Sequence, residues 1–150
     1  MSRVVYLLDT GILSRITHPK AKGNKPVVDW FRSMLLRKRE MRIPAICDYE
    51  LRRKLLHLDF KSSVELLDDF CTTVGFLPID SRVMKRAAEL WAESRKRGRV
   101  TAPPEALDGD VILAAQAQAV AGIGFRPIVV TENVGHLSWF TDAREWRSVN

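Results

Sequence analysis

Cysteine is scarce in this chain, charge is not dominated by one sign, and no long apolar run occurs. Each shortage excludes something. The two cysteines, Cys47 and Cys71, lack metal-ligand spacing, and no Cys/His set offers a zinc site. A pair so placed is expected to stay reduced, as in a cytoplasmic protein. No stretch approaches the roughly 20 apolar residues of a membrane span. At the amino end, Met1-Ser2-Arg3 leads into a short apolar block that meets Asp9. That block is too short for a secretory signal and no small-residue cleavage site follows it. No Gly-rich phosphate loop, Ser-His-Asp arrangement, internal repeat, low-complexity tract or domain linker is present.

What is there suits one domain. The 150 residues are 46% hydrophobic, in short blocks. A chain of that length buries about two thirds of the surface it exposes when unfolded, and needs no staples. Basic residues number 24 against 18 acidic ones, a net charge of +6. Much of the excess is clustered in Arg37-Lys38-Arg39, Arg52-Arg53-Lys54 and Arg95-Lys96-Arg97 with Arg99. One such cluster is ordinarily a solvated helix face. Three in one small domain favour a phosphate backbone as partner.

Hydrophobic spacing alternates between strand and helix. Residues 4–8 form a continuous β-rich run, expected to be a strand buried on both faces. A short helical piece over 12–16 and a polar loop over 18–25 follow. Residues 26–37 carry apolar side chains at helical spacing behind Pro26. Residues 42–45 form a second short strand, and 47–58 a helix with Leu51, Leu55 and Leu58 on one stripe. Ser62 and Glu65 suggest a capping box for a helix ending near Val74. A strand over 76–79 precedes a helix over 83–95 capped by Asp80 or Ser81. A loop over 96–105 contains Gly98, Pro103 and Pro104. Asp108 caps a small-residue helix over 111–121, and 127–131 is another buried strand. A short helical stretch after Asn133 and a last edge strand over 146–149 complete the chain. The alternation predicts an α/β domain with a mainly parallel sheet between helical layers.

Against this frame the acids fall in an ordered way. Asp9 ends the first strand, at the edge where ligands bind in open α/β sheets. A carboxylate directly after five apolar strand residues is costly unless it is paired or bound. Glu50 lies early in the helix after the second strand, on the same edge. Asp108 and Asp110 open the helix before the last buried strand, and Thr131 and Asn133 follow that strand. Each has a bland explanation. Asp108 is a good cap, Asp110 suits the helix dipole, Asn133 caps a short helix, and Glu50 is a solvated acid as Asp48 and Asp59 are expected to be. Trp30, Trp91, Trp139 and Trp146 read as core or interface residues. Asp9-Thr10-Gly11 also matches the aspartic-protease tripeptide, in which two carboxylates share a proton. That architecture is almost all β, and this chain has long helical stretches.

Taken together the segments resemble the PIN-domain family, in particular the VapC-like toxins of bacterial toxin–antitoxin pairs. Val5-Tyr6-Leu7-Leu8-Asp9-Thr10 is similar to the family's opening strand and first acid. Glu50-Leu51, after Ile43-Pro44-Ala45, is similar to its second. Asp110-Val111-Ile112-Leu113-Ala114-Ala115 is similar to its third motif. Val129-Val130-Thr131-Glu132-Asn133, followed by His136, is similar to its closing motif. Asn133 stands where an Asp would give a fourth carboxylate, which weakens the case for a second metal. Residues 17–25 make a longer loop than compact members need, and Arg52-Arg53-Lys54 lies outside the usual pattern.

The resemblance implies a three-layer α/β/α domain and a metal-dependent endoribonuclease. It implies Mg²⁺, with Mn²⁺ as substitute, held by Asp9, Glu50 and Asp110, with Asn133 completing the catalytic set. Thr10, Thr131 and Asp108 would support these groups, and Glu132 is a neighbouring candidate. It also implies an RNA substrate cut to leave a 5′-phosphate and a 3′-hydroxyl, a small antitoxin partner, a homodimer and a cytoplasmic location. Crowded carboxylates repel, so at least one should titrate high. Two other classes stay open: a non-catalytic PIN-like module that binds RNA or protein, and a solitary Mg²⁺-dependent phosphodiesterase or phosphatase. The lack of an Asp-x-Asp at the first strand counts against a haloacid-dehalogenase-type enzyme.

Overall fold

The computed structural model describes residues 3–100, 103 and 108–150. Part of the expected loop over 96–105 therefore lies outside the described residues. In chain order the elements are β1 (Arg3–Leu8), α1 (Thr10–Ile16), α2 (Lys25–Leu36), β2 (Met41–Pro44), α3 (Ala45–His57), α4 (Lys61–Thr73), β3 (Phe76–Leu77), α5 (Ser81–Lys96), α6 (Gly109–Gly122), β4 (Phe125–Thr131) and β5 (Ala143–Glu145). Short 3-10 turns occupy Gly135–Trp139 and Trp146–Ser148.

The strands form one sheet in the order β3-β2-β1-β4-β5, and every neighbouring pair is parallel. The apolar run of β1 makes it the centre, because a central parallel strand is covered on both faces. Val5, Leu7 and Leu8 are accordingly buried. The chain steps outward from β1 to β2 and β3, then returns past β1 to β4. Right-handed crossovers in opposite directions place their helices on opposite faces. Helices α1 to α4 pack on one another, and α5 packs on α6. The domain is a three-layer α/β/α architecture, as the alternation predicts, and is unlike an aspartic protease. Among the described residues no helix is long and apolar enough to cross a membrane.

The direction of travel reverses between β1 and β4, and the carboxyl ends of strands at such a switch point are where open α/β sheets bind ligands. The register sets Leu8 beside Val130, and Asp9 N–H still donates to Val130 O at 3.0 Å. Asp9 and Thr131 therefore leave the sheet side by side.

Three local expectations are corrected. Ser62 and Glu65 do not form a capping box. Helix α4 begins at Lys61, Phe60 occupies the cap position, and no side chain caps it. The reason is the tightness of the turn before it: Asp59 takes φ 55° and Phe60 N–H returns to Leu55 O, leaving no residues for a longer entry. The last strand is residues Ala143–Glu145, not 146–149. Glu145 caps the following 3-10 turn through Arg147 N–H, and Trp146 turns inward against Trp30. Asp48 is no solvated acid: it is 14% exposed and ion-paired to Arg52.

One buried polar residue fixes α3 relative to α6. Gln116 is 1% exposed. Its Oε1 accepts from Ile46 N–H at 3.3 Å, and its Nε2 donates to Leu77 O at 2.9 Å and Pro78 O at 3.3 Å. Both ends of the amide are satisfied, as burial requires. The bridge ties the first turn of α3 to the middle of α6, and so sets Glu50 near Asp110.

Candidate active site at the carboxyl edge of the sheet

Asp9 sits between β1 and α1, and both of its oxygens are engaged. Oδ1 accepts from Thr10 N–H at 2.7 Å and lies 3.8 Å from the Cys47 thiol. Oδ2 accepts from the Thr131 hydroxyl at 2.7 Å. Thr131 is buried, and its oxygen also accepts from Asn133 N–H at 3.1 Å. One hydroxyl thus orients Asp9 and folds the chain after β4.

Glu50 is on the second turn of α3, half-buried, and Oε1 accepts from the Thr10 hydroxyl at 3.1 Å. Its carboxylate lies against the first turn of α6. A Cβ on Gly109 would meet Glu50 Oε2 at 2.6 Å and Oε1 at 3.0 Å. Asp110 follows one residue later, with its Oδ2 3.9 Å from His136 Nδ1. Asp108 is buried and caps α6, accepting from Asp110 N–H at 3.1 Å and Val111 N–H at 3.4 Å.

These acids lie near enough for their charges to act on one another. Burial pushes the Glu50 carboxyl up, the Thr10 hydroxyl opposes this, and the charges on Asp9 and Asp110 add to it; Arg53 works the other way. Burial likewise raises Asp110, followed by the charges of Asp108 and Asp9, with His136 opposing. The Cys47 thiol is pushed well up by burial and then by Asp9, so it stays protonated beside that carboxylate. Among the described residues no lysine or arginine reaches salt-bridge distance of Asp9, Glu50 or Asp110.

Of the residues named from sequence, the structure brings Asp9, Glu50, Asp110, Thr10, Thr131 and Asp108 to one edge. Asn133 reaches that edge through its backbone, while its exposed amide makes no hydrogen bond to the three acids among the described residues. Glu132 is drawn aside into an ion pair with Arg15. Trp139, expected in a core or an interface, is 38% exposed and packs on His136, their ring centroids 4.6 Å apart. Arg52 is committed to Asp48 and Asp68.

Sequence reasoning missed Gly109, Cys47 and the Arg15–Glu132 pair. For Gly109 a signal existed: a glycine at the first position of a helix, between two acids, forgoes helix propensity and implies a close approach. The other two depend on a packing that no local pattern encodes.

An all-oxygen set of this kind could hold a hard divalent cation, which takes oxygen ligands and keeps several waters. Among the described residues no three His, Cys, Asp or Glu side chains are already gathered at ligand distance around one point. Mg²⁺ takes only one or two carboxylates directly and meets others through water, so three acids need not converge on one point. The donor chemistry and the unmet negative charge fit such an ion.

No protein-family model matches the chain. No curated protein matches it either. Solved structures do. A chain of VapBC2 from Rickettsia felis, bound to a DNA fragment from its promoter, superposes with TM-score 0.70 at 16% identity, covering 95% of this chain and 98% of that one. VapBC-1 from nontypeable Haemophilus influenzae gives TM-score 0.67 at 16% identity, with the same coverage. DNA-bound VapBC from Salmonella typhimurium gives 0.69 at 19%, covering 97% and 99%. The likeness runs the length of the domain, and what it establishes is the fold: this chain has the architecture of chains in those VapBC structures.

Proposed function

We propose that this PIN-fold chain is a metal-dependent endoribonuclease, and that it acts as the toxin of a toxin–antitoxin pair. The observation that carries the reading is the mutual charge of Asp9, Glu50 and Asp110. Three elements deliver these carboxylates to the edge where the sheet reverses direction. Two of them titrate high, and no lysine or arginine pairs with them among the described residues. A fold with no use for a cation would gain by replacing one acid with a neutral side chain.

Asp9, Glu50 and Asp110 would hold the ion, some through water, and Asn133 would complete the set. A divalent cation bound there supplies charge neutralisation at a phosphodiester and acidifies a water for attack. The chain's own groups do the rest. Thr131 and Thr10 N–H fix the orientation of the Asp9 carboxylate, and the Thr10 hydroxyl fixes that of Glu50, so neither must reorganise when substrate arrives. The Asp108 cap holds the first turn of α6 and with it Asp110. Cys47, protonated and buried, closes the floor behind Asp9 without competing for the ion.

A toxin needs a partner that silences it. The structural likeness to chains from VapBC complexes supports a small antitoxin in that role. Exposed Leu56, Leu58 and Phe60, where α3 turns into α4, offer an apolar face for it to cover.

The test is incubation of the purified protein with total RNA in Mg²⁺, in Mn²⁺ and in EDTA, with the fragment ends mapped. Discrete cleavage that needs metal and leaves 5′-phosphates supports the reading. RNA left intact under every metal removes the nuclease and leaves a binding module.

A further inference from the structure

Three basic clusters compete for the role of nucleic-acid contact, and the fold separates them. Arg37-Lys38-Arg39 lies just before β2, at the amino edge of the sheet, where Glu40 pairs with Arg3 at the start of β1. That is the edge opposite the acids. In the second cluster, Arg52 is held between Asp48 and Asp68, Arg53 stands over the Tyr49 ring at 5.1 Å, and only Lys54 is exposed without such a contact. The third, at the end of α5, lines a cleft beside an exposed tryptophan. Lys96, Arg97 and Arg99 are exposed and form no ion pair with a described residue. Arg99 N–H donates to Ser94 O at 2.7 Å, which folds the chain back over the end of α5.

This end of α5 joins the acidic site through a continuous line of contacts. The Arg99 guanidinium stands over the Trp139 ring, 5.5 Å from its centroid. Trp139 stacks on His136 at 4.6 Å, and His136 reaches Asp110 at 3.9 Å. Arg97, Arg99 and Trp139 border an open, mostly polar cleft of about 140 Å³. Its other charged groups, Arg86 and Glu93, pair with each other at 3.6 Å, and Arg86 is also held by Gln118 and Glu89, so the unpaired charge of the cleft comes from the residues after α5.

We propose that this line is the track for a single-stranded RNA entering the acidic site. Arg97 and Arg99 meet its phosphates, and a base splayed from the strand lies on the exposed surface of Trp139 and His136. The proposal rests on the nuclease reading for its substrate and adds the direction of approach and the strandedness. Unpaired guanidinium groups in an open cleft meet phosphates without breaking an existing ion pair. An aromatic platform accepts any base presented by its face, which only an unstacked strand can do. A duplex would find the cations but not the platform.

Binding in EDTA tests the track separately from cleavage. Fluorescence anisotropy of labelled single-stranded RNA of mixed sequence, and of its duplex, is followed against salt. Arg97→Ala with Arg99→Ala should weaken single-strand binding roughly tenfold and reduce the salt slope by roughly 1.4. Trp139→Ala should weaken the single strand roughly tenfold and the duplex little. Arg37→Ala with Arg39→Ala, the same loss of charge at the opposite edge, should change binding less than threefold. Circular dichroism and a melting curve confirm that each variant is folded, and the arginine pair carries the test if Trp139→Ala is not. The proposal is overturned if both arginine pairs cost the same, if folded Trp139→Ala binds single strands as the parent does, or if the parent binds no RNA. Metal-dependent cleavage with a neutral arginine pair would sink the track and leave the nuclease standing. Loss of binding in a protein that never cleaves would do the reverse.

Discussion

Glycine 109 offers the sharpest separation of structure from chemistry. Alanine there puts a Cβ 2.6 Å from Glu50 Oε2, 2.9 Å from Cδ and 3.0 Å from Oε1. Ordinary contact begins near 3.4 Å, so the carboxylate must retreat by about 1 Å. Glu50 is half-buried at the end of a flexible side chain, so the retreat costs little in stability. The new alanine also recovers a few tenths of a kcal/mol or more of helix propensity at the start of α6. What is lost is the Thr10 hydrogen bond and the placement of the carboxylate. A misplacement of that size in a catalytic group costs roughly 10²-fold in rate. Gly109→Ala is therefore expected to melt within a few degrees of the parent and to cleave RNA about 10²-fold more slowly. Single-turnover cleavage beside a thermal melt measures both. Full activity in a folded Gly109→Ala protein would refute the reasoning, because Glu50 would then work from a position the structure denies it.

Two further outcomes follow from the same geometry. Gln116→Leu strands Ile46 N–H and the carbonyls of Leu77 and Pro78, at a cost of about 3 kcal/mol, so the melting temperature should fall roughly 8 °C; a shift under about 2 °C would remove the bridge as an anchor. The pH dependence has a definite sign. Glu50 and Asp110 titrate above their ordinary values, so between those values and the raised ones the folded protein holds more protons than the unfolded chain. Without metal, stability should fall as pH rises through that window and recover on acidification. Mn²⁺ should raise the melting temperature at neutral pH, and the gain should fade as pH drops into the carboxylate range. A metal effect that is independent of pH, or that survives Asp9→Asn with Asp110→Asn, would contradict the site.

The fold was legible because its strongest signals are local and repeated. A five-residue apolar run suits a central strand, and the helical stripes of Val27, Val28, Phe31 and Leu51, Leu55 face the core, although Leu58, expected on the second stripe, lies past the end of α3 and is exposed. Val27, Phe31, Leu51 and Leu55 belong to one buried cluster. Asp9 and Thr131 were legible for the same reason, since Asp9 directly follows a buried strand and Thr131 ends one. The misses are tertiary. Residues 146–149 have strand-like composition, but Trp146 gains more from burial against Trp30 than from extending the sheet. Ser62 and Glu65 have the spacing of a cap, yet the turn at Asp59 leaves them inside the helix. Trp139 reads from sequence as a core or interface residue, and only the fold of the segment after β4 exposes it and sets it beside Arg99.

The central claim is that Asp9, Glu50 and Asp110 act as one metal-dependent site. The most direct test is RNA cleavage in Mn²⁺ by Asp9→Asn, Glu50→Gln and Asp110→Asn, beside Asp69→Asn, an exposed acid on α4 away from that site. The account predicts that each of the first three loses at least about 10²-fold in rate while folding normally, and that Asp69→Asn cleaves as the parent does. If any one of the three folded variants keeps the parent's rate, the carboxylates do not work as a set and the proposed site is wrong.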